Sequence, residues 1–266
     1  MDWDDAYANL PYIPGAEAML TRWSDEAASY RDALTQQGRA RLGIPYGNRP
    51  REAYDLFLPE GASAGLCVFV HGGYWMKFHR DLWSHFAEGM RAAGWSVAVP
   101  SYDLCPDVTI ADITGQIATA ITHAASEVAG PIHLAGHSAG GQLVARMCVA
   151  GVLPEMVARR IEMVMPISPV SDLRPLIMTQ MNDAFRLTEN SAIAESPALQ
   201  DPMAVPVSVW VGGAERPVFL DQARWLAEAW GAGHVVVAGQ NHLTVIEPLC
   251  EPASTMVRTL ANPSRT

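Results

Sequence analysis

Six compact apolar runs, punctuated by Gly or Pro, recur along this chain with longer helical stretches between them. They are Gly65–Val70, Trp95–Pro100, Pro131–Gly136, Met163–Ser168, Val207–Gly212 and His234–Gly239. A strand that is apolar at nearly every position needs cover on both faces, which is the condition of a parallel sheet flanked by helices. An earlier stretch, Glu52–Pro59 (EAYDLFLP), alternates instead and reads as a half-buried strand. Apolar spacing near 3.6 residues predicts helices over 79–94, 110–128, 140–151, 217–231 and 243–260. Strand and helix in repeated alternation predict an α/β fold, a mostly parallel central sheet with helices on both faces. No linker, repeat or low-complexity segment interrupts the pattern, so 1–266 reads as one domain. Two segments stand outside the alternation and are expected to be cap-like: residues 1–50, polar and aromatic, and 172–202, irregular and rich in Met, Asn and Asp. Such insertions at strand ends are where substrate pockets are built.

Composition narrows the partners. At 49% hydrophobic and 17% charged residues the chain can bury a large core. A net charge of −10 without Lys/Arg clusters argues against nucleic acid and against an anionic membrane surface. No stretch approaches the roughly 18 apolar residues of a membrane span. The first twenty residues carry Asp2, Asp4, Asp5 and Glu17 but no Lys or Arg, unlike a secretory signal. A cytoplasmic location is therefore expected, and a homodimer is compatible with the sequence. Cys67, Cys105, Cys148 and Cys250 lie far apart with no C-x-x-C pair, and the histidines have no ligand-like spacing. Neither a metal nor another cofactor is expected.

Chemistry concentrates at Gly136-His137-Ser138-Ala139-Gly140, between the run at 131–136 and a predicted helix. A G-x-S-x-G turn joining strand to helix holds its Ser in a strained conformation, with the hydroxyl exposed above a helix N-terminus. Small residues two positions either side relieve the crowding. Ser138 is thus the candidate nucleophile, and it needs a base and a group to orient that base. Along the chain these follow in the order Ser, acid, His. His242 stands in the loop after the last apolar run, and Glu215 in the loop after the run before it. Asp221 and Glu247 are the competing carboxylates, but both fall inside predicted helices and should face solvent. The stretch Phe69–Trp75 (FVHGGYW) supplies oxyanion donors: the N–H groups of Gly72 and Gly73, joined by that of Ala139. Each such donor contributes on the order of 100- to 1000-fold in rate. His71 reads as a structural turn residue bonded to backbone, not a second base. The remaining histidines, His137 among them, read as structural or surface groups.

With these residues in place, the chain resembles the α/β-hydrolase fold, and within it the arylformamidase (kynurenine formamidase) branch near the hormone-sensitive-lipase-like esterases. The oxyanion motif is His71-Gly72-Gly73-Tyr74-Trp75, as in the formamidases, where the esterases carry H-G-G-G. Similar segments are PYG at Pro45–Gly47, YDLCP at Tyr102–Pro106, MNDAFRLT at Met181–Thr188, RPVFLDQA at Arg216–Ala223 and NHLTVIE at Asn241–Glu247. The resemblance runs from about Pro45 to the C-terminus and departs in two places. The family's acid is normally Asp where this chain has Glu215, and the first fifty residues match only loosely. It implies an acyl-enzyme hydrolase that takes a small-molecule aryl formamide or ester, with Tyr74 and Trp75 lining an aromatic slot. A short-chain carboxylesterase or thioesterase is the alternative of the same class. A non-catalytic ligand-binding member of the fold is the alternative of a different one.

Overall fold

The computed structural model describes residues 2–262. Its centre is an eight-stranded sheet: β1 Ala40–Pro45, β2 Ala53–Phe57, β3 Leu66–Val70, β4 Ser96–Pro100, β5 Ile132–His137, β6 Ile161–Ile167, β7 Ser208–Gly212 and β8 Gly233–Val237. Their spatial order is β1-β2-β4-β3-β5-β6-β7-β8. β2 pairs antiparallel with both β1 and β4, and every later pairing is parallel.

Alternate residues of each strand feed two cores. One face carries α1 (Trp3–Tyr7), α4 (Ile110–Glu127), α5 (Ala139–Arg146), α6 (Glu155–Ala158), α7 (Asn182–Phe185), α8 (Glu189–Ala194) and α9 (Pro217–Trp230). The other carries α2 (Ala16–Gln36), α3 (Glu88–Ala92) and α10 (Thr255–Ala261). This two-sided cover explains why β3, β4 and β5 are buried at every position. No helix among the described residues is long and apolar enough to cross a membrane.

The differences from the sequence reading have local causes. β2 is buried throughout instead of half-buried. Tyr54 and Leu56 enter one core and Phe57 the other, where Tyr30 of α2 lies 5.2 Å from its ring. Asp55 survives burial because Arg80 Nε and the Gly43 N–H both donate to it at 2.8 Å. β8 is partly exposed because it is the sheet's edge, with a neighbour on one side only. The stretch 243–260 is two elements, a 3₁₀ turn over Thr244–Cys250 and then α10, since Pro248 and Pro252 cannot continue a helix. In 79–94 only α3 is α-helical, after two 3₁₀ turns that place Trp83 and Phe86 against Trp23. The first fifty residues hold α2, whose Trp23, Ala27 and Leu34 are buried, and the edge strand β1.

Candidate active site

Ser138 stands between β5 and α5 at φ 57°, ψ −116°, a backbone conformation that a non-glycine residue adopts only under constraint. The neighbours supply that constraint. A Cβ on Gly136 would stand 2.2 Å from the Gly140 carbonyl oxygen, and one on Gly140 would stand 2.0 Å from that of Val70. Only glycine at both positions lets β5 turn into α5 this sharply. The Ser138 N–H donates to Ile167 O at 2.8 Å, which ties the turn to the end of β6.

The loops after β7 and β8 bring Glu215 and His242 to the same sheet edge. His242 Nδ1–H donates to Glu215 Oε2 at 2.5 Å, with both side chains buried. The other carboxylate oxygen, Oε1, accepts from Ser168 Oγ at 2.5 Å and from the Gly212 N–H at 2.7 Å. The extra methylene of Glu is thereby absorbed, because the carboxylate folds back over its own turn. Ser168, at the end of β6, escaped the sequence reading although its place at the same sheet edge was a usable signal. His137 Nε2–H donates to the His242 carbonyl oxygen at 2.8 Å and fixes the loop. Burial, reinforced by the His242 imidazole beside it, pushes the His137 imidazole well below its usual range, so it stays neutral as a donor. Ser138 Oγ and His242 Nε2 make no hydrogen bond at this geometry, yet neither is among the fully enclosed unpartnered atoms. Catalytic contacts of this kind commonly tighten when substrate binds. Asp221 and Glu247 bond instead to Arg224 and Arg22 at the surface.

The loop after β3 lies against the nucleophile: a Cβ on Gly72 would stand 3.0 Å from Ser138 Cβ. Gly73 has φ 120°, and Tyr74 and Trp75 follow at φ 53° each. The N–H groups of Gly72, Gly73 and Ala139 donate to no protein acceptor. His71 is fully buried and stacked 4.5 Å from Tyr102, with Nδ1–H donating to Gly72 O at 2.7 Å. Burial holds its pKa down to about 3, so it is a neutral structural residue of the turn.

Residues 67–246 match the alpha/beta hydrolase fold family. The chain belongs to that family. It is 25% identical over 227 residues to a kynurenine formamidase of Danio rerio, spanning 79% of this chain and 77% of that protein. A kynurenine formamidase of Drosophila melanogaster is 27% identical over 257 residues, 87% and 84% of the two chains. Among solved structures, a provisionally assigned thioesterase from Silicibacter sp. TM1040 superposes with a TM-score of 0.95 at 56% identity, covering 98% of this chain and 99% of that one. Esterase 2 of Thermogutta terrifontis is alike in fold, with a TM-score of 0.60 at 19% identity over 77% and 85% of the chains.

In this hydrolase the expected aromatic wall is built differently from the sequence reading. Trp75 is only 1% exposed and packs edge-on against Phe185, with its indole N–H donating to Gln142 Oε1 at 3.1 Å. It is a core side chain that braces the loop after β3 on α5, and it lines no open slot. Tyr74 is half-buried, and its hydroxyl donates to Tyr7 O at 2.8 Å and accepts from Asn9 Nδ2 at 3.1 Å. The N-terminal segment thus reaches the site directly. A cavity of about 250 Å³ is lined by Asn9, Tyr12, Ala214, Arg216, Asn241 and His242, among others. A larger one, of about 1040 Å³, lies on the α2 side, between Arg22, His85 and Cys250, and includes none of the triad candidates. The smaller cavity is bordered by Glu215 and His242. No three His, Cys, Asp or Glu side chains among the described residues are grouped to hold a metal ion.

Proposed function

We propose that this hydrolase removes a small acyl group from an aryl formamide or ester through an acyl-enzyme on Ser138. The observation that carries the reading is the 2.5 Å contact between His242 Nδ1 and Glu215, set beside a serine in a strained strand-to-helix turn. His242 Nε2 accepts the Ser138 proton as Oγ attacks the carbonyl carbon, and Glu215 stabilises the resulting imidazolium. The oxyanion meets the N–H groups of Gly72, Gly73 and Ala139. His242 then returns the proton to the departing amine or alcohol, and a water repeats the sequence to release the acid. The relatives named kynurenine formamidase favour an aryl formamide as substrate. The 56%-identical relative favours the second reading, a short-chain thioesterase or carboxylesterase.

Measuring kcat/KM for N-formylkynurenine, a short-chain p-nitrophenyl ester and an acetyl thioester separates the two. A formamide value of roughly 10⁴ M⁻¹s⁻¹ or more is expected. Turnover of ester or thioester with negligible formamide cleavage would overturn the formamidase reading while leaving the serine chemistry intact.

A further inference from the structure

The residue after the candidate acid carries an arginine whose hydrogen-bonding is incomplete. Arg216 lines the cavity that also touches His242 and Glu215. Among the described residues of that wall it is the one permanent cation. Its Nη2 donates to the Asp5 carboxylate at 2.5 Å and to the Asp5 carbonyl at 3.0 Å, and its guanidinium lies 3.7 Å over the Tyr12 ring. Its Nε is buried and has no partner.

A carboxylate bound in the usual forked manner engages Nε and an Nη together. Asp5 satisfies only half of that fork and leaves a buried donor empty, which is unfavourable. Asp5 and Tyr12 are both about half exposed, while the Arg216 side chain is 23% exposed, so the pair is open to solvent on the Asp5 side only. The Asp5 carboxylate also accepts from the Tyr12 hydroxyl, so it is held at two points, yet a ligand carboxylate that engaged Nη2 and Nε together would satisfy the donor that Asp5 leaves empty. Glu215, the carboxylate on the same wall, has both oxygens occupied by donors from His242, Ser168 and Gly212.

We propose that Arg216 is a specificity-determining residue that binds a carboxylate on the substrate, in the place the Asp5 side chain now holds. The substrate class is thus an acylated small molecule bearing an acid group, with Tyr12 as an aromatic wall beside it. This rests on the serine-hydrolase reading for its kinetic consequence, but binding can be measured apart from turnover.

The test is calorimetric titration of the Ser138→Ala protein with benzoate and with benzamide, a matched anion and neutral amide. Benzoate is expected to bind at least about tenfold more tightly than benzamide. Arg216→Gln should erase that preference, and Asp5→Asn should increase it by freeing the fork. Those two changes both release the N-terminal segment, so opposite signs separate recognition from mere anchoring. Equal affinities for the two ligands, or the same preference with and without Arg216, would overturn the proposal. In the Ser138-containing enzyme, 4-acetoxybenzoate should be preferred over 4-acetoxybenzamide through KM, and Arg216→Gln should remove that preference. Absence of all ester turnover with benzoate selectivity intact would instead count against the serine mechanism alone.

Discussion

Replacing Glu215 with Gln is expected to lower kcat about 10³- to 10⁴-fold while leaving the fold in place. The hydrogen-bond network dictates the direction. The Ser168 hydroxyl and the Gly212 N–H both donate to one oxygen of Glu215. In Gln that position must be taken by the amide oxygen, so the NH₂ group is turned toward His242 Nδ1. His242 then has to accept at Nδ1 and carry its proton on Nε2, the tautomer that cannot take a proton from Ser138. The volume is nearly unchanged, so the melting temperature should move little. Glu215→Asp keeps the charge but shortens the reach, and its kcat should fall between the two. Steady-state kinetics on any accepted ester, beside thermal unfolding, reads both quantities. A Gln variant within tenfold of the parent would mean that Glu215 does not orient the base.

The second large effect concerns stability. Arg146 of α5 pairs with Glu195 at 3.2 Å, and both side chains are about nine-tenths buried. Thr114 of α4 donates its hydroxyl to the same carboxylate at 2.7 Å. Removing one member of such a buried pair leaves the other charge uncompensated, which costs about 3–5 kcal/mol. Glu195→Ala should therefore lower the melting temperature by on the order of 10 °C. The double change Arg146→Met with Glu195→Leu should recover most of that loss, because apolar side chains of similar size need no partner. A Glu195→Ala shift of only a degree or two would show that the pair is solvated. The pair also bears on the segment 172–202. Through Glu195 that segment is fastened to the helix that begins beside Ser138, and its main chain accepts from Gln142 as well. Gln142 in turn holds Trp75, so the segment, α5 and the loop after β3 form one connected network.

What could be read in the sequence divides along physical lines. Strands buried on both faces leave continuous apolar runs, and so β3 to β7 stood out. The turn at Ser138 was legible because its glycines are demanded by hard contacts, Gly136 with Gly140 inside the turn and Gly140 with Val70 at the end of β3, and so leave a compact motif in the sequence. Glu215 and His242 were legible because chain order and loop position constrain them. α2 was not, since it buries a narrow stripe, Trp23, Ala27 and Leu34, under a mostly polar surface. Trp75 misled because a residue beside Gly72 and Gly73 need not line an open slot. Positive φ values at Tyr74 and Trp75, together with Gln142, 67 residues away on α5, decide its direction. Asn9, Tyr12 and Arg216 meet only through long-range folding, and no local pattern announces them.

The most direct test of the serine mechanism is to react the protein with a fluorophosphonate and locate the adduct by mass spectrometry. One equivalent on the peptide that carries Ser138, absent in Ser138→Ala and accompanied by loss of hydrolysis, is the predicted result. Labelling elsewhere with activity retained, or hydrolysis undiminished in Ser138→Ala, would contradict it.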